Sequence, residues 1–202
     1  TVYRKVLSAQ PDHSVTVVTV GFLTNLAGLL HSGPDAYSPL NGRELVKRKV
    51  KLLVSMAGKY PSGREYNIYN DAPSAAYALE NLPTPVILSG YEIGAAIKTG
   101  LPLIHDRAIR NDPVKDAFAH NMALSRQDAK GRMSWDEVTV LVAIRGYKPY
   151  FSLREGHVAV APDGSDSWDP DGKGQFYLTQ EEPPKKVERV LNRLMMQQPA
   201  QR

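Results

Sequence analysis

The sequence predicts an α/β protein: a mainly parallel, Rossmann-like sheet flanked by helices, with a C-terminal β-hairpin and helix. Two observations predict this fold class. Three apolar runs alternate with helix-compatible segments, an order typical of βαβ units and of parallel sheets. The last third instead has short, closely spaced strand patterns followed by an amphipathic segment. The chain has 202 residues and shows neither a repeat nor a linker, so we expect residues 1–202 to belong to a single domain without an internal boundary.

The first strand is the β-branched run Val15–Val20. An uninterrupted apolar run of this kind indicates a parallel strand that is buried on both faces. Gly21 ends the run, and Thr24 or Asn25 can cap a helix that reaches about His31. The segment therefore predicts a strand, a tight turn and a helix, with the turn at the carboxyl edge of the sheet.

The middle of the chain repeats this alternation, with glycine and proline between the elements. In order, the sequence predicts a helix from Arg43, the strand Val50–Met56, a helix Ala72–Leu79 capped by Asn70 or Asp71, the strand Val86–Leu88 and the helix Pro113–Leu124.

The C-terminal third changes character. Tyr150–Leu153 and His157–Ala161 are separated by Arg154-Glu155-Gly156, a spacing that predicts a hairpin. A strand Phe176–Leu178 follows, and Pro183–Met196 has the apolar spacing of an amphipathic helix. The acidic loop 163–172 lies between His157–Ala161 and Phe176–Leu178. It does not match the EF-hand pattern, because glutamine stands where that pattern needs glutamate, and a turn-rich connection between strands is predicted instead.

The composition excludes several kinds of chemistry. The chain has no cysteine, which rules out disulfides, thiolate metal sites and cysteine nucleophiles. No apolar run approaches the roughly 20 residues that cross a bilayer. Two basic clusters, at 47–51 and 185–193, contribute to a net charge of +4, but they lack the aromatic residues of nucleic-acid readers. We therefore expect neither a membrane nor a nucleic acid as partner, and the sequence does not indicate a compartment.

Four stretches contain candidate functional residues near the predicted strand ends, where ligands bind in open α/β sheets. In chain order they are Val18–Ala27, Met56-Ala57-Gly58, Gly63–Asn67 with the following Asp71, and Ser134-Trp135-Asp136-Glu137. This ordered set resembles a divergent branch of the inosine–uridine nucleoside hydrolase family. The stretches resemble its Gly-Pro-Leu-Thr-Asn turn, with Phe22 in place of proline, its Met-Gly-Gly strand end, its Glu-Phe-Asn segment and its late loop-to-helix step. The resemblance implies the C-terminal portion of the nucleoside hydrolase fold.

The resemblance also implies roles for five residues. Asp136 and the main-chain carbonyl of Val20 match ligands of a calcium ion that grips the ribose hydroxyls, and hard oxygen ligands suit calcium. Glu65 and Asn67 match residues that hydrogen-bond the ribose, and Trp135 can stack on a base or sugar. Other interpretations stay open for three of them. Glu65 and Asn67 can serve the local turn, and Asp136 can be a first-turn acid in a helix that Ser134 and Glu137 start as a capping box.

Two departures from the family bear on activity. Trp135 stands where the family often has a histidine proposed as leaving-group acid, and indole cannot act as an acid at neutral pH. His105 and His120 are the nearest substitutes, although a structural or exposed position suits them better. The chain also lacks the family's Asp-x-Asp-x-x-x-Asp-Asp strand end, which supplies two metal carboxylates and the base. We therefore expect this chain to be the C-terminal portion of a longer protein, or to pair with another chain.

The sequence thus supports two hypotheses. The first is calcium-assisted hydrolysis of the N-glycosidic bond of ribonucleosides, with the aspartate motif supplied by an N-terminal half that is missing here. The second is a member of the same fold that binds a nucleoside or carbohydrate without cleaving it, or with altered specificity. Whether the chain is catalytic stays open, and the resemblance implies a homo-oligomer.

Overall fold

The computed structural model describes residues 2–198. Within them lie nine strands: β1 Val15–Thr19, β2 Val50–Met56, β3 Ser62–Gly63, β4 Val86–Ser89, β5 Lys98–Thr99, β6 Arg132–Met133, β7 Phe151–Val160, β8 Asp166–Asp169 and β9 Gln175–Gln180. Seven of them form the main sheet, in the spatial order β1-β2-β4-β9-β7-β8-β3. The strands β5 and β6 form a separate antiparallel pair.

Ten α-helices and one 3₁₀ turn, Arg126–Asp128, connect these strands in the described part of the chain. The helices are α1 Val2–Ser8, α2 Thr24–His31, α3 Gly42–Lys49, α4 Tyr66–Tyr69, α5 Ala72–Asn81, α6 Tyr91–Ala96, α7 Leu101–His105, α8 Pro113–Leu124, α9 Trp135–Arg145 and α10 Pro184–Met195. Between residues 2 and 198, none of them is long and apolar enough to cross a bilayer.

The predicted fold class is confirmed. Strands β1, β2, β4 and β9 run parallel, while β7, β8 and β3 extend the sheet by antiparallel pairing. Along the central strands, successive apolar side chains point to opposite faces. Leu53 and Leu88 face a core formed with α2, α3 and α5, whereas Val54 and Ile87 face a core formed with α6, α9 and α10. The sheet therefore lies between two layers of helices.

The first strand is shorter and less buried than the sequence predicts. It ends at Thr19, which leaves Val20 in the turn, and all five of its residues are only half-buried. The reason is its place in the sheet, because β1 is hydrogen-bonded to β2 on one side and is an edge strand on the other. Its apolar sequence is nevertheless that of an interior strand.

The predicted hairpin at 150–161 is wrong in position. These residues form one continuous strand, β7, in which Gly156 pairs with Gln175 of β9. Glycine stands at this point because a Cβ atom would collide with Trp168 and with the main chain of Asp169. The hairpin of this region joins β7 to β8, and β8 lies within the loop that the sequence predicts to be turn-rich.

Two predicted helix caps are also wrong. Neither Thr24 nor Asn25 caps α2, since the helix begins at Thr24 without a side-chain cap and the Thr24 hydroxyl bonds the Asp71 carboxylate instead. Ser134 precedes α9 but forms no capping box. Its hydroxyl is buried and shares a 2.7 Å hydrogen bond with the hydroxyl of Thr99, which keeps it from the helix amides. The prediction that α9 is a helix is confirmed.

Candidate functional site

The carboxyl ends of three neighbouring parallel strands form one edge, and each strand is followed by a glycine. These glycines are Gly21 after β1, Gly58 after β2 and Gly90 after β4. Gly58 has φ +83°, and a side chain there would collide with the ring of Tyr60. Only glycine therefore lets the chain leave β2 at this angle. Ligands bind at such an edge in open α/β folds.

Glu65 and Asn67 lie at the end of β2. Asn67 donates through Nδ2 to the last carbonyl of that strand, Met56 O, at 3.1 Å. Glu65 caps α4: its carboxylate accepts the backbone N–H of Asn67 at 3.0 Å and that of Gly58 at 3.3 Å. The two side chains are 3% and 8% exposed. Burial raises the pKa of Glu65, against the effect of these hydrogen bonds. Glu65 and Asn67 therefore do stabilise the local turn, and their contact with a ribose stays a prediction.

Trp135 and Asp136 begin α9, which packs against α6. Gly94 of α6 allows this, because a Cβ atom there would collide with the main chain and ring of Trp135. The indole Nε1 donates to the carbonyl of Tyr91 at 2.9 Å, and the two rings lie 5.4 Å apart between centroids. Tyr91 follows Gly90 directly, so Trp135 lies at the carboxyl end of β4.

Asp136 lines a mainly apolar groove between α9 and α10, about 470 Å³ in volume. The groove wall desolvates the carboxyl group and raises the pKa of Asp136, and Arg132 works in the other direction. Val20 lines a different cavity of about 440 Å³, beside Phe22 and Asn25. The two predicted calcium ligands therefore belong to the same edge of the sheet but to separate cavities.

The residues present do not by themselves fit a calcium ion. Calcium takes six to eight oxygen ligands. Within residues 2–198, no three acidic or histidine side chains come together in a group that could hold a metal ion. One carboxylate and one carbonyl are too few, so a calcium site needs ligands from elsewhere.

The family model described as inosine-uridine preferring nucleoside hydrolase matches residues 1–193. The chain belongs to this family. No curated protein matches it at the level of sequence.

Solved structures with the same fold include two nucleoside hydrolases and an effector. The purine-preferring ribonucleoside hydrolase from Gardnerella vaginalis has a TM-score of 0.72 at 16% identity, covering 96% of this chain and 64% of its own. The inosine-uridine preferring nucleoside hydrolase from Bacillus anthracis has a TM-score of 0.67 at 17% identity, with the same coverage. The type III effector protein XopQ, complexed with adenosine diphosphate ribose, has a TM-score of 0.66 at 17% identity, covering 96% and 63%. The chain thus spans slightly less than two thirds of the length of these three structures.

In this member of the nucleoside hydrolase family, three residues near the candidate site were missed by sequence analysis. Tyr91 has its ring 5.8 Å from the Lys59 ammonium, and Asp166 of β8 and Glu92 of α6 accept hydrogen bonds from the segment after β2. Tyr91 could have been found from the sequence, because it directly follows Gly90 and a glycine also follows each of the strands β1 and β2. Nothing in the sequence indicated Asp166, because its position depends on a long-range strand pair.

The two histidines considered as leaving-group acids lie away from the strand ends. His105 ends α7 and His120 lies in α8, and both are exposed. Neither helix begins directly at a strand end of the parallel sheet, so these positions do not favour a catalytic role for either imidazole.

Proposed function

We propose that this chain provides the ribose-binding side of a site that hydrolyses the N-glycosidic bond of ribonucleosides. The observation that carries the proposal is the placement of Glu65 and Asn67. Both lie at the carboxyl end of β2, fixed by hydrogen bonds to the main chain at that end. Membership of the nucleoside hydrolase family over residues 1–193 supports the reaction class.

The chemistry of the pair suits a ribosyl group. Cleavage passes through a cation with oxocarbenium character, which a nearby carboxylate stabilises more than it stabilises the ground state. The Glu65 carboxylate has about four acceptor positions, and backbone N–H groups occupy only some of them. Asn67 uses its Nδ2 group on Met56, which leaves its carbonyl oxygen to accept from a sugar hydroxyl. Fixed partners of this kind orient the sugar before reaction.

The remaining parts of the site are proposed to come from an N-terminal half with the Asp-x-Asp-x-x-x-Asp-Asp motif. It would supply the base that deprotonates water and the metal carboxylates that this chain lacks. Calcium would then be held by those carboxylates together with Asp136 and the Val20 carbonyl. In support of this proposal, the chain spans 64% of the length of each of the two matched hydrolases.

The open edge of β1 is the proposed docking place for this half. Natural edge strands usually carry charges, prolines or bulges that prevent pairing. Val15–Thr19 contains only valine and threonine, and its register irregularity is confined to its first two residues, Val15 and Thr16. Beside this edge, α9 exposes Val140 and Ile144 in the groove that Asp136 lines. A parallel strand and its neighbouring helix would bury both surfaces.

Replacement of Asp136 by alanine tests the proposed reaction. In the full-length protein we expect calcium affinity and inosine turnover to fall together by at least about tenfold, as losses around metal sites do. Asp116→Ala is the matched control, because Asp116 is also a first-turn acid of a helix, α8, and lies away from the site. Calcium titration and product formation are measured for both variants. Unchanged affinity and turnover in Asp136→Ala would remove the proposal.

Replacement of Ile144 by lysine tests the docking surface. In the full-length protein we expect a loss of about 1–3 kcal/mol in unfolding free energy, because an ammonium group would enter an apolar contact. Leu124→Lys is the control, since Leu124 is 75% exposed here and Ile144 76%, on different helices. Urea denaturation of both variants gives the comparison. If both variants lose the same small amount of unfolding free energy, the groove is not covered in the full-length protein.

A second candidate is binding without cleavage, of a nucleoside or a carbohydrate. It is favoured by Trp135, whose single N–H is already donated to Tyr91, so that it offers no proton to a leaving group. The matched effector structure contains adenosine diphosphate ribose, which shows a ribose ligand in this fold. Calorimetry with inosine, uridine and ribose, followed by product analysis, separates the two candidates. The homo-oligomer implied by the family is tested by the molar mass in solution.

A further inference from the structure

Three consecutive backbone amides after β2 are each bound by a different carboxylate. This 58–60 turn directly precedes the segment that carries Glu65 and Asn67. The pairs are Gly58 N–H with Glu65 at 3.3 Å, Lys59 N–H with Asp166 at 2.8 Å and Tyr60 N–H with Glu92 at 3.2 Å. The turn is therefore held by one acid from its own segment, one from α6 and one from β8.

Asp166 is the acid that connects the turn to the far edge of the sheet. It lies in β8, opposite Gly63 of β3, and is 3% exposed. Its Oδ2 atom accepts from Lys59, while Oδ1 is buried without a hydrogen-bond partner in the described residues. Burial raises the pKa of Asp166, against the effect of the Lys59 and Glu65 backbone N–H groups, and its charge in turn contributes to the raised pKa of Glu65.

A buried carboxylate with one unpaired oxygen is expensive to keep. Stability alone would favour a neutral residue at this position. The side chain does, however, fix the orientation of Lys59 N–H and so the path by which the chain returns to Glu65. Its charge also faces the Glu65 carboxylate, which is itself fixed by Gly58 N–H. Both effects act on the geometry of the proposed ribose contact.

We propose that Asp166 is a positioning residue, which holds the 58–60 turn so that Glu65 and Asn67 meet hydroxyls of a ribose. This role rests on the proposed function. It assigns to the C-terminal hairpin strand β8 a part in sugar recognition, although Asp166 itself does not touch the ligand.

The test compares two ligands in the full-length protein. Inosine has a ribose with three hydroxyls, and its free base, hypoxanthine, has none. We expect Asp166→Ala to weaken inosine binding about tenfold, the scale of a lost charged hydrogen bond, and to leave hypoxanthine binding unchanged. Asp166→Asn, which keeps an acceptor oxygen for Lys59 N–H, should restore most of the affinity. Asp169→Asn removes an exposed acid from the same strand and serves as control.

A double-mutant cycle with Glu65→Gln should show that the two losses are not additive. Equal weakening of both ligands, no weakening of either, or full additivity overturns the positioning role.

Amide exchange at Lys59, measured without ligand, separates a failure of the positioning role from a failure of the proposed function. Exchange in Asp166→Ala as slow as in the wild type overturns the role whatever the ligand data show. A wild-type protein that does not bind inosine, but whose Lys59 exchange rises in Asp166→Ala, refutes the ribose site and the role built on it while showing that Asp166 holds the turn.

Discussion

Replacing Gly94 by alanine is expected to lower the free energy of unfolding by about 1–3 kcal/mol, the cost of overpacking a tight contact. The added methyl group would collide with the main chain and ring of Trp135, where α6 crosses the start of α9. A backbone atom cannot move aside as the end of a flexible side chain can. Relief therefore requires a shift of α9, which begins with Trp135 and Asp136. Urea denaturation measures the loss.

Gly28 supplies the control for this substitution. It also lies within a helix, α2, but a Cβ atom there would meet nothing within 4 Å. Since alanine is the better helix former, we expect Gly28→Ala to gain up to about 1 kcal/mol. The two glycine-to-alanine changes should thus differ in sign. A Gly94→Ala variant as stable as Gly28→Ala would show that α6 and α9 do not pack closely, and Trp135 would then have no fixed place at the site.

The parallel half of the fold could be predicted from the sequence because its signals are local. Val50–Met56 forms a strand with the predicted bounds, and Pro113–Leu124 forms a helix with the predicted bounds. Uninterrupted apolar runs and a proline at the first helical position depend only on neighbouring residues. The glycines after the strands are local signals as well, and they mark the carboxyl edge at which the site is proposed.

The antiparallel half could not be predicted in the same way, because its register depends on distant residues. Gly156 resembles a turn glycine, yet it lies within β7 and is required by the approach of Trp168. Asp166 resembles part of an acidic loop, yet it is buried against the 58–60 turn, which lies more than 100 residues earlier in the chain. A glycine or an aspartate has the same local pattern in both settings, and only the tertiary contact distinguishes them.

Trp135 offers no proton to a leaving group in the proposed site. The family often has a histidine there, and the indole N–H is donated to the Tyr91 carbonyl. The site as it stands thus has no proton donor at this point for a departing base. A general acid contributes about 10²–10⁴-fold to rate. The absence of one at this position would be a sufficient reason for slow cleavage or for binding alone.

Replacing Trp135 by histidine in the full-length protein is therefore expected to raise inosine turnover by at least about 100-fold, because an imidazole can protonate the leaving base near neutral pH. Hydrolysis of p-nitrophenyl riboside should not gain, since its leaving group departs without a proton. Trp135→Phe is the control that removes the hydrogen bond to Tyr91 but adds no acid. If Trp135→His and Trp135→Phe raise turnover equally, the gain comes from loss of the hydrogen bond to Tyr91 and not from a new acid. If Trp135→His raises turnover of inosine and of p-nitrophenyl riboside equally, proton donation is excluded. No gain at all would mean that position 135 is not the place at which the leaving group is protonated.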